Sequence, residues 1–228
     1  LLIPSAPVPT CVYVDGPADG DGSAPAGQPT FNMVLEQLRS RSKPAVESLT
    51  DLVAKAAAEG GPSVELTATH AVFHAMLVAG VKTMAHTHAV ISKYDAVVRP
   101  SGADLAKANA LGVSCLQWVV DFWSRSPQRA ALTARELLLV HALRPDIFVQ
   151  WALSPGGSAR MTTPLPWHLV HIGLDEVLAV TAHFQKETDA FAFNNDEVRR
   201  ADAAGKLEKY QRIFLQILSQ LLRGVNEL

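Results

Sequence analysis

Eight histidines and two cysteines are the residues of this 228-residue chain with the widest chemical repertoire. His70 and His74 stand four apart and His168 and His171 three apart, so each pair can share one helix face. A zinc site needs three or four ligands. No carboxylate follows either pair in the metalloprotease pattern, and His86 and His88 fall on different helix faces. The expectation is therefore surface or hydrogen-bonded core histidines and no metal. Cys115 would need electropositive neighbours to be a nucleophile. Val113, Leu116 and Val119 surround it instead, which predicts a core cysteine.

Other chemical constellations fail on spacing. Gly112-Val-Ser114-Cys-Leu116 lacks the second glycine of a nucleophile elbow and lies in a helical pattern. There is no glycine-rich loop followed by Lys-Ser/Thr, and no G-x-G-x-x-G after a strand. The adjacent carboxylates Asp175-Glu176 and Asp196-Glu197 read as solvated. Asp19-Gly-Asp21-Gly lacks the spaced oxygens and closing Glu of a calcium loop. No catalytic residue and no cofactor is expected.

The elements that hold these residues are helical almost throughout. Charged residues are 18% of the chain and hydrophobic ones 48%, which excludes disorder and leaves ample material for a core. Twenty basic against 22 acidic residues argues against nucleic-acid binding through charge alone. Arg39, Arg41 and Lys43 read as a solvated helix end, and two distant cysteines suggest a reducing compartment. The chain opens on Leu, which reads as a piece of a longer protein. The uncharged stretch from Leu66 to Val81 falls short of the roughly 20 residues of a membrane span, so no membrane association is expected.

Residues 1–29 carry six prolines and a turn-rich run from Asp15 to Gly22, predicting an extended linker. From Thr30 the apolar spacing is helical. Phe31, Val34, Leu35 and Leu38 make one face, and Pro44 suits the first turn of a helix that Gly60-Gly61-Pro62 stops. Further helices are expected over about 63–77, 82–98, 104–125, 127–143 and 145–151, with a loop from Ser154 to Gly157. Thr163-Pro164 opens a helix reaching about Phe191. Asn194-Asn-Asp-Glu197 starts the last, which carries the stripe Leu207, Tyr210, Phe214, Ile217, Leu218, Leu221 and Val225, and the stretch 192–206 is also read as a short connection to that stripe. Strand-like alternation is confined to Cys11-Val-Tyr-Val14. Trp118, Trp123, Trp151 and Trp167 each sit on an apolar stripe and are expected to pack between helices. Helices joined by short loops predict an all-α bundle or helical-repeat solenoid of antiparallel pairs.

Taken in order, Lys82 to Thr87, Phe122 to Gln128, Val149 to Ser154 and Trp167 to His171 resemble segments of the large subunit of the nuclear cap-binding complex. Lys82-Thr-Met-Ala-His86-Thr and Ser92-Lys-Tyr94 are similar to that family's Lys-Ser-x-Ser-His-Ser and Ala-Lys-Phe. Phe122-Trp123-Ser-Arg-Ser-Pro127-Gln128 resembles Val-Trp-(Arg/Lys)-Asn-x-Pro-Gln. Val149-Gln-Trp151-Ala-Leu-Ser154 resembles Asn-Trp-Ile-Phe-Ser, and Trp167 with Leu169-Val-His171 resembles Trp-Glu-Ile-Leu-His. Upstream, Leu2-Ile-Pro-Ser-Ala-Pro7 is similar to the Leu-Pro-Thr-Ala-Pro that leads into the family's last domain.

The resemblance covers about four-fifths of the chain and implies a third MIF4G-type, HEAT-like module over residues 30–228. It implies a non-catalytic scaffold that forms a heterodimer with a small RNA-recognition-motif subunit. That subunit holds the 7-methylguanosine cap, so capped RNA is reached only through it. It further implies a nuclear protein, shuttling to the cytoplasm, that connects transcripts to splicing, 3′-end processing, export, translation and decay factors. His86, Trp123, Pro127, Gln128, Trp151 and Trp167 are the positions that match. The long charged excursion that follows the Trp167-type helix in the family is here reduced to the short 192–206 connection, and Arg135-Glu136 reverses the family's acidic-basic order.

Overall fold

A computed structural model describes residues 7–16, 24–40, 42–99, 104–154, 161–194 and 196–226. They separate into two units, 1–143 and 144–228. Both are built of helices that pack on their neighbours along the chain, which is the all-α, helical-repeat fold expected from the apolar spacing.

The first unit opens with a strap rather than a linker. Residues 12–15 form one helical turn, α1 (Val12–Asp15), and Cys11 and Tyr13 are buried. Pro7, Pro9 and Pro17 bar helix only at and just before themselves. The proline-free run between them is free to turn, and the Asp15 carboxylate closes the turn by accepting the Cys11 N–H at 2.7 Å. The strap is pinned where the Thr10 N–H donates to the Phe122 carbonyl at 2.7 Å. Helix α2 (Gln28–Arg39) follows Gly27, whose φ of 88° is in the left-handed region that glycine favours. Pro29, expected in the linker, sits in the first turn of α2, where a missing N–H costs nothing. The face Phe31, Val34, Leu35 and Leu38 is buried as its spacing predicts. Each such side chain contributes roughly 1.5–3 kcal/mol.

Helix α3 (Val46–Gly80) is two helices in line. Gly61 takes φ 72° and ψ −167°, and Pro62 starts the second half, so the expected stop is a kink. Pro44 precedes the helix rather than opening it. Every residue from Ala71 to Leu77 is buried, which makes the second half the central helix of its unit. That burial on all sides accounts for the uncharged run from Leu66 to Val81. Among the described residues no helix is long and apolar enough to cross a membrane.

Helix α4 (Met84–Tyr94) is capped by Thr83, which accepts the His86 N–H at 3.1 Å, and continues into a 3-10 turn over Asp95–Val97. It crosses α3 closely, and the Thr87 hydroxyl donates to the Gly80 carbonyl at 2.9 Å. Helix α5 (Leu105–Phe122) starts at Asp104, whose Oδ1 accepts the N–H groups of Ala106 (3.0 Å) and Lys107 (3.1 Å). Asp104→Ala leaves both without that acceptor. It is expected to cost about 1 kcal/mol, read as a lower urea midpoint with an unchanged m-value.

Helix α6 (Pro127–Leu139) begins at Ser126-Pro127 as the sequence suggests, although Ser126 makes no side-chain cap. It ends earlier than the expected Leu143, because His141 turns left-handed at φ 58° and the N–H groups of Ala142 and Leu143 fold back on the Leu137 carbonyl. The chain is thereby turned before Arg144-Pro145, where a continuing helix is disfavoured.

In the second unit, α7 (Pro145–Ala152) packs on α8 (Pro164–Phe193) and α9 (Glu197–Asn226). The Asp146 carboxylate is buried. It accepts from Arg144 Nε (3.0 Å) and Nη2 (2.6 Å) and from Gln150 Nε2 (3.0 Å), so its charge is answered on three sides. Gly173 of α8 lies against the α7 backbone. The expected 192–206 connection is largely helix. Helix α8 runs to Phe193 and α9 resumes at Glu197, with the Asp196 N–H bonded to the Phe191 carbonyl at 3.0 Å. Two thirty-residue helices joined by this tight turn form an antiparallel hairpin. In its stripe Ile217 is fully buried, Leu207, Tyr210, Phe214 and Leu221 are half-buried, and Leu218 is exposed. The Val225 side chain, Arg41, Leu2 to Ala6, the Asp19-Gly-Asp21-Gly run and Pro155 to Gly157 lie outside the described residues.

Candidate functional site

The densest grouping of chemically capable side chains lies under the strap of the first unit. Helical spacing stacks His70 and His74 on one face of α3, with ring centroids 4.3 Å apart. The strap supplies the remainder. Tyr13 Oη lies 2.8 Å from His70 Nδ1 and donates to the Ala26 carbonyl at 3.3 Å, and Cys11 Sγ lies 3.6 Å from His74 Nδ1. Tyr13 also stacks on Phe31 of α2 at 4.8 Å. From α5, Trp118 lies 4.7 Å from the His70 ring and Phe122 meets His74 edge-on at 5.8 Å.

These walls are aromatic, burying His74 and covering most of His70, which sets the electrostatics. Burial lowers His70 to about 4, and burial together with the neighbouring His70 lowers His74 to about 3. Both are neutral imidazoles at pH 7. Desolvation pushes the Cys11 thiol up and raises Tyr13 to about 12, so neither forms an anion at neutral pH. The Nε2 of His74 is buried without a hydrogen-bond partner. A bare lone pair is the less costly group to leave there, so Nδ1 carries the proton and faces the Cys11 sulfur. Sequence reasoning found the histidine pair but missed Cys11 and Tyr13. The signal was the buried-type alternation of Cys11 and Tyr13, the one such run inside the proline-rich segment.

Among the described residues no group of three or more His, Cys, Asp or Glu side chains is placed to hold a metal. His168 and His171 are exposed on α8. Cys115 is fully buried and desolvation raises its thiol strongly, which makes it a core residue as expected. His88 pairs with Glu136 of α6 at 2.6 Å, joining helices 48 residues apart in a way that spacing does not signal.

Four of the six family-matching positions lie in the first unit and two, Trp151 and Trp167, in the second. His86 is exposed near the start of α4, and Pro127 and Gln128 are exposed at the start of α6. Trp123 is buried at the end of α5, with the Arg129 guanidinium 5.6 Å from its ring centroid. Trp151 is 1% exposed within α7. Trp167 departs from the packing role expected of it. It is 42% exposed, and its ring is held by the indole N–H donating to the Met161 carbonyl at 2.8 Å. In the first turns of α8 the polar edge finds a carbonyl while the ring stays open to solvent. Trp118 is half-buried, between His70 and Phe73.

The second unit exposes Leu178, Phe193, Val198, Leu215 and Leu222 along α8 and α9. Helix pairs that close their own cores and leave apolar side chains outward are the architecture of helical-repeat adaptor and scaffold domains. The sequence profile of the MIF4G-like family matches residues 29–226, and the chain belongs to that family. A search of curated proteins finds no match.

Proposed function

We propose that this chain is the last MIF4G-type module of the large subunit of a nuclear cap-binding complex, acting as a scaffold without catalytic activity or cofactor. In this reading it forms a heterodimer with a small RNA-recognition-motif subunit, which holds the 7-methylguanosine cap. It reaches capped RNA through that subunit and recruits processing, export and decay factors in the nucleus. The observation that carries the reading is the ordered series His86, Trp123-Ser-Arg-Ser-Pro127-Gln128, Trp151 and Trp167. A MIF4G-like domain alone is compatible with any helical adaptor of this family; the series is what favours the cap-binding large subunit. The near-neutral charge of −2 supports contact with protein rather than with phosphate.

The test places the full-length parent protein on a cap-analogue resin, alone and with its candidate small subunit. Retention only in the presence of the small subunit is the expected result. Retention alone would require a cap pocket in this protein and would contradict the charge argument. Failure of the two proteins to associate, with capture of an RNA helicase instead, would move the chain to the translation or decay adaptors of the same family.

A further inference from the structure

We propose that residues 7–16 form an acid-released strap, seated on the neutral His70–His74 pair and lifting away when that pair takes up protons. The strap covers the buried His74 ring through Cys11 and the partly exposed His70 ring through Tyr13, so its departure hydrates both further. Among the described residues its polar ties to the body are the Thr10 N–H to the Phe122 carbonyl, Thr10 Oγ1 to Ser124 Oγ at 3.0 Å, Gln28 Nε2 to the Tyr13 carbonyl at 3.1 Å, Cys11 Sγ to His74 Nδ1 at 3.6 Å, and the Tyr13 contacts. It is bounded by Gly16 at φ 81°, and Gly27 at φ 88° opens the helix beneath it.

Among the described residues no compensating charge meets the rings. From the strap, Cys11 and Tyr13 face them and are neutral, while the Asp15 carboxylate is engaged by the Cys11 N–H. From α5 Trp118 and Phe122 face them, and on α2 Phe31 stacks on Tyr13; none of these carries charge. On α3 each histidine is the other's titrating neighbour, and Glu65 is held by Lys107 of α5 at 2.7 Å. A proton added to His74 therefore places an N–H at Nε2 with no acceptor, beside a second ring 4.3 Å away. Because burial holds both groups below 6.5 when the strap is seated, the seated state is favoured above that pH. It loses ground as pH falls from 6.5 towards the seated values of about 4 and about 3. At pH 5 the linkage favours opening about 30-fold for each histidine that is hydrated on release.

Hydrogen exchange of the intact protein at pH 7.5 and pH 5, corrected for intrinsic rates, tests this. Protection of peptides covering residues 7–16 is expected to fall at least ten-fold (order of magnitude) at pH 5, while peptides from the second half of α3 and from α6 keep theirs. In His70→Gln/His74→Phe, which retains ring volume and a polar partner for Tyr13, the strap's protection is expected to be the same at both pH values. The single His74→Phe variant serves if the double variant does not fold, with a smaller pH dependence than wild type expected. Unchanged strap protection in the wild type overturns the proposal. Equal loss in α3 does so as well, because it means global acid unfolding, and so does full pH dependence in the variants.

Discussion

Trp151→Ala is expected to destabilise the protein by about 3–5 kcal/mol, the range for emptying a large aromatic site in a core. Trp151 is the largest of the fully buried side chains and is 1% exposed. Its helix, α7, has only eight residues, of which Asp146, Ile147, Phe148, Val149 and Ala152 are buried with it. A short helix with so little solvent-facing surface cannot collapse far into the void, so the cost falls at the upper end. Domains of this kind are stable by about 5–15 kcal/mol in total, so the loss is a large part of the whole. Urea unfolding followed by fluorescence gives the midpoint directly. Partner binding should fall only in proportion to the unfolded fraction. A Trp151→Ala protein that is folded by circular dichroism and yet fails to bind would make this residue a contact hot spot instead of a packing residue.

Gly173→Val is expected to cost about 3 kcal/mol through forced separation of α8 from α7. A Cβ at position 173 would lie 2.8 Å from the Pro145 carbonyl oxygen and 3.2 Å from Phe148 Cβ. The nearer atom is backbone at the start of α7, so no rotamer change relieves the contact. Helix propensity pulls the other way, since replacing a helical glycine with alanine is worth up to about 1 kcal/mol. The steric term is the larger one. Gly173→Ala should therefore be net destabilising by about 1 kcal/mol, with the valine variant well below it in thermal midpoint. An alanine variant more stable than wild type would show that the two helices do not approach as closely as the structure places them.

These two sites show how differently sequence and structure inform. Trp151 was legible as a core residue because it lies on a helical apolar stripe. Gly173 was not, because a glycine inside a helix has the same local pattern whether a neighbour's backbone lies 3 Å or 10 Å away. Trp167 carries the same kind of stripe as Trp151 and yet is 42% exposed, because the first turns of α8 are not covered on that side. Period alone names a face without saying what covers it.

The helix boundaries marked by proline were readable in place. Gly61-Pro62, Ser126-Pro127 and Thr163-Pro164 act within a residue or two of themselves, through φ, the missing N–H and the first-turn orphan donors. The 192–206 stretch carried two readings: Asn194-Asn-Asp-Glu197 as the start of the last helix holds, and the whole stretch as a connection does not. Asn194 to Glu197 does mark a boundary, but the turn there needs only three residues, and the polar helix after it looks like a connection when read alone. His70 and His74 were legible as a shared face because i,i+4 geometry is local. Whether that face was surface, core or ligand depended on Cys11 and Tyr13, about 60 residues earlier.

By itself the sequence determined the all-α class, the order of the long helices and the core stripe of α2, since these rest on short-range spacing and turn chemistry; the MIF4G-like family was legible through resemblance of motifs. Tertiary structure alone decided that the proline-rich start packs down as a strap and that His88 finds Glu136. It also decided that Gly173 must stay small and that the histidine pair is largely covered and neutral. Each of these depends on which distant segment arrives at a face, and arrival is governed by the burial of whole surfaces rather than by the pattern of any one.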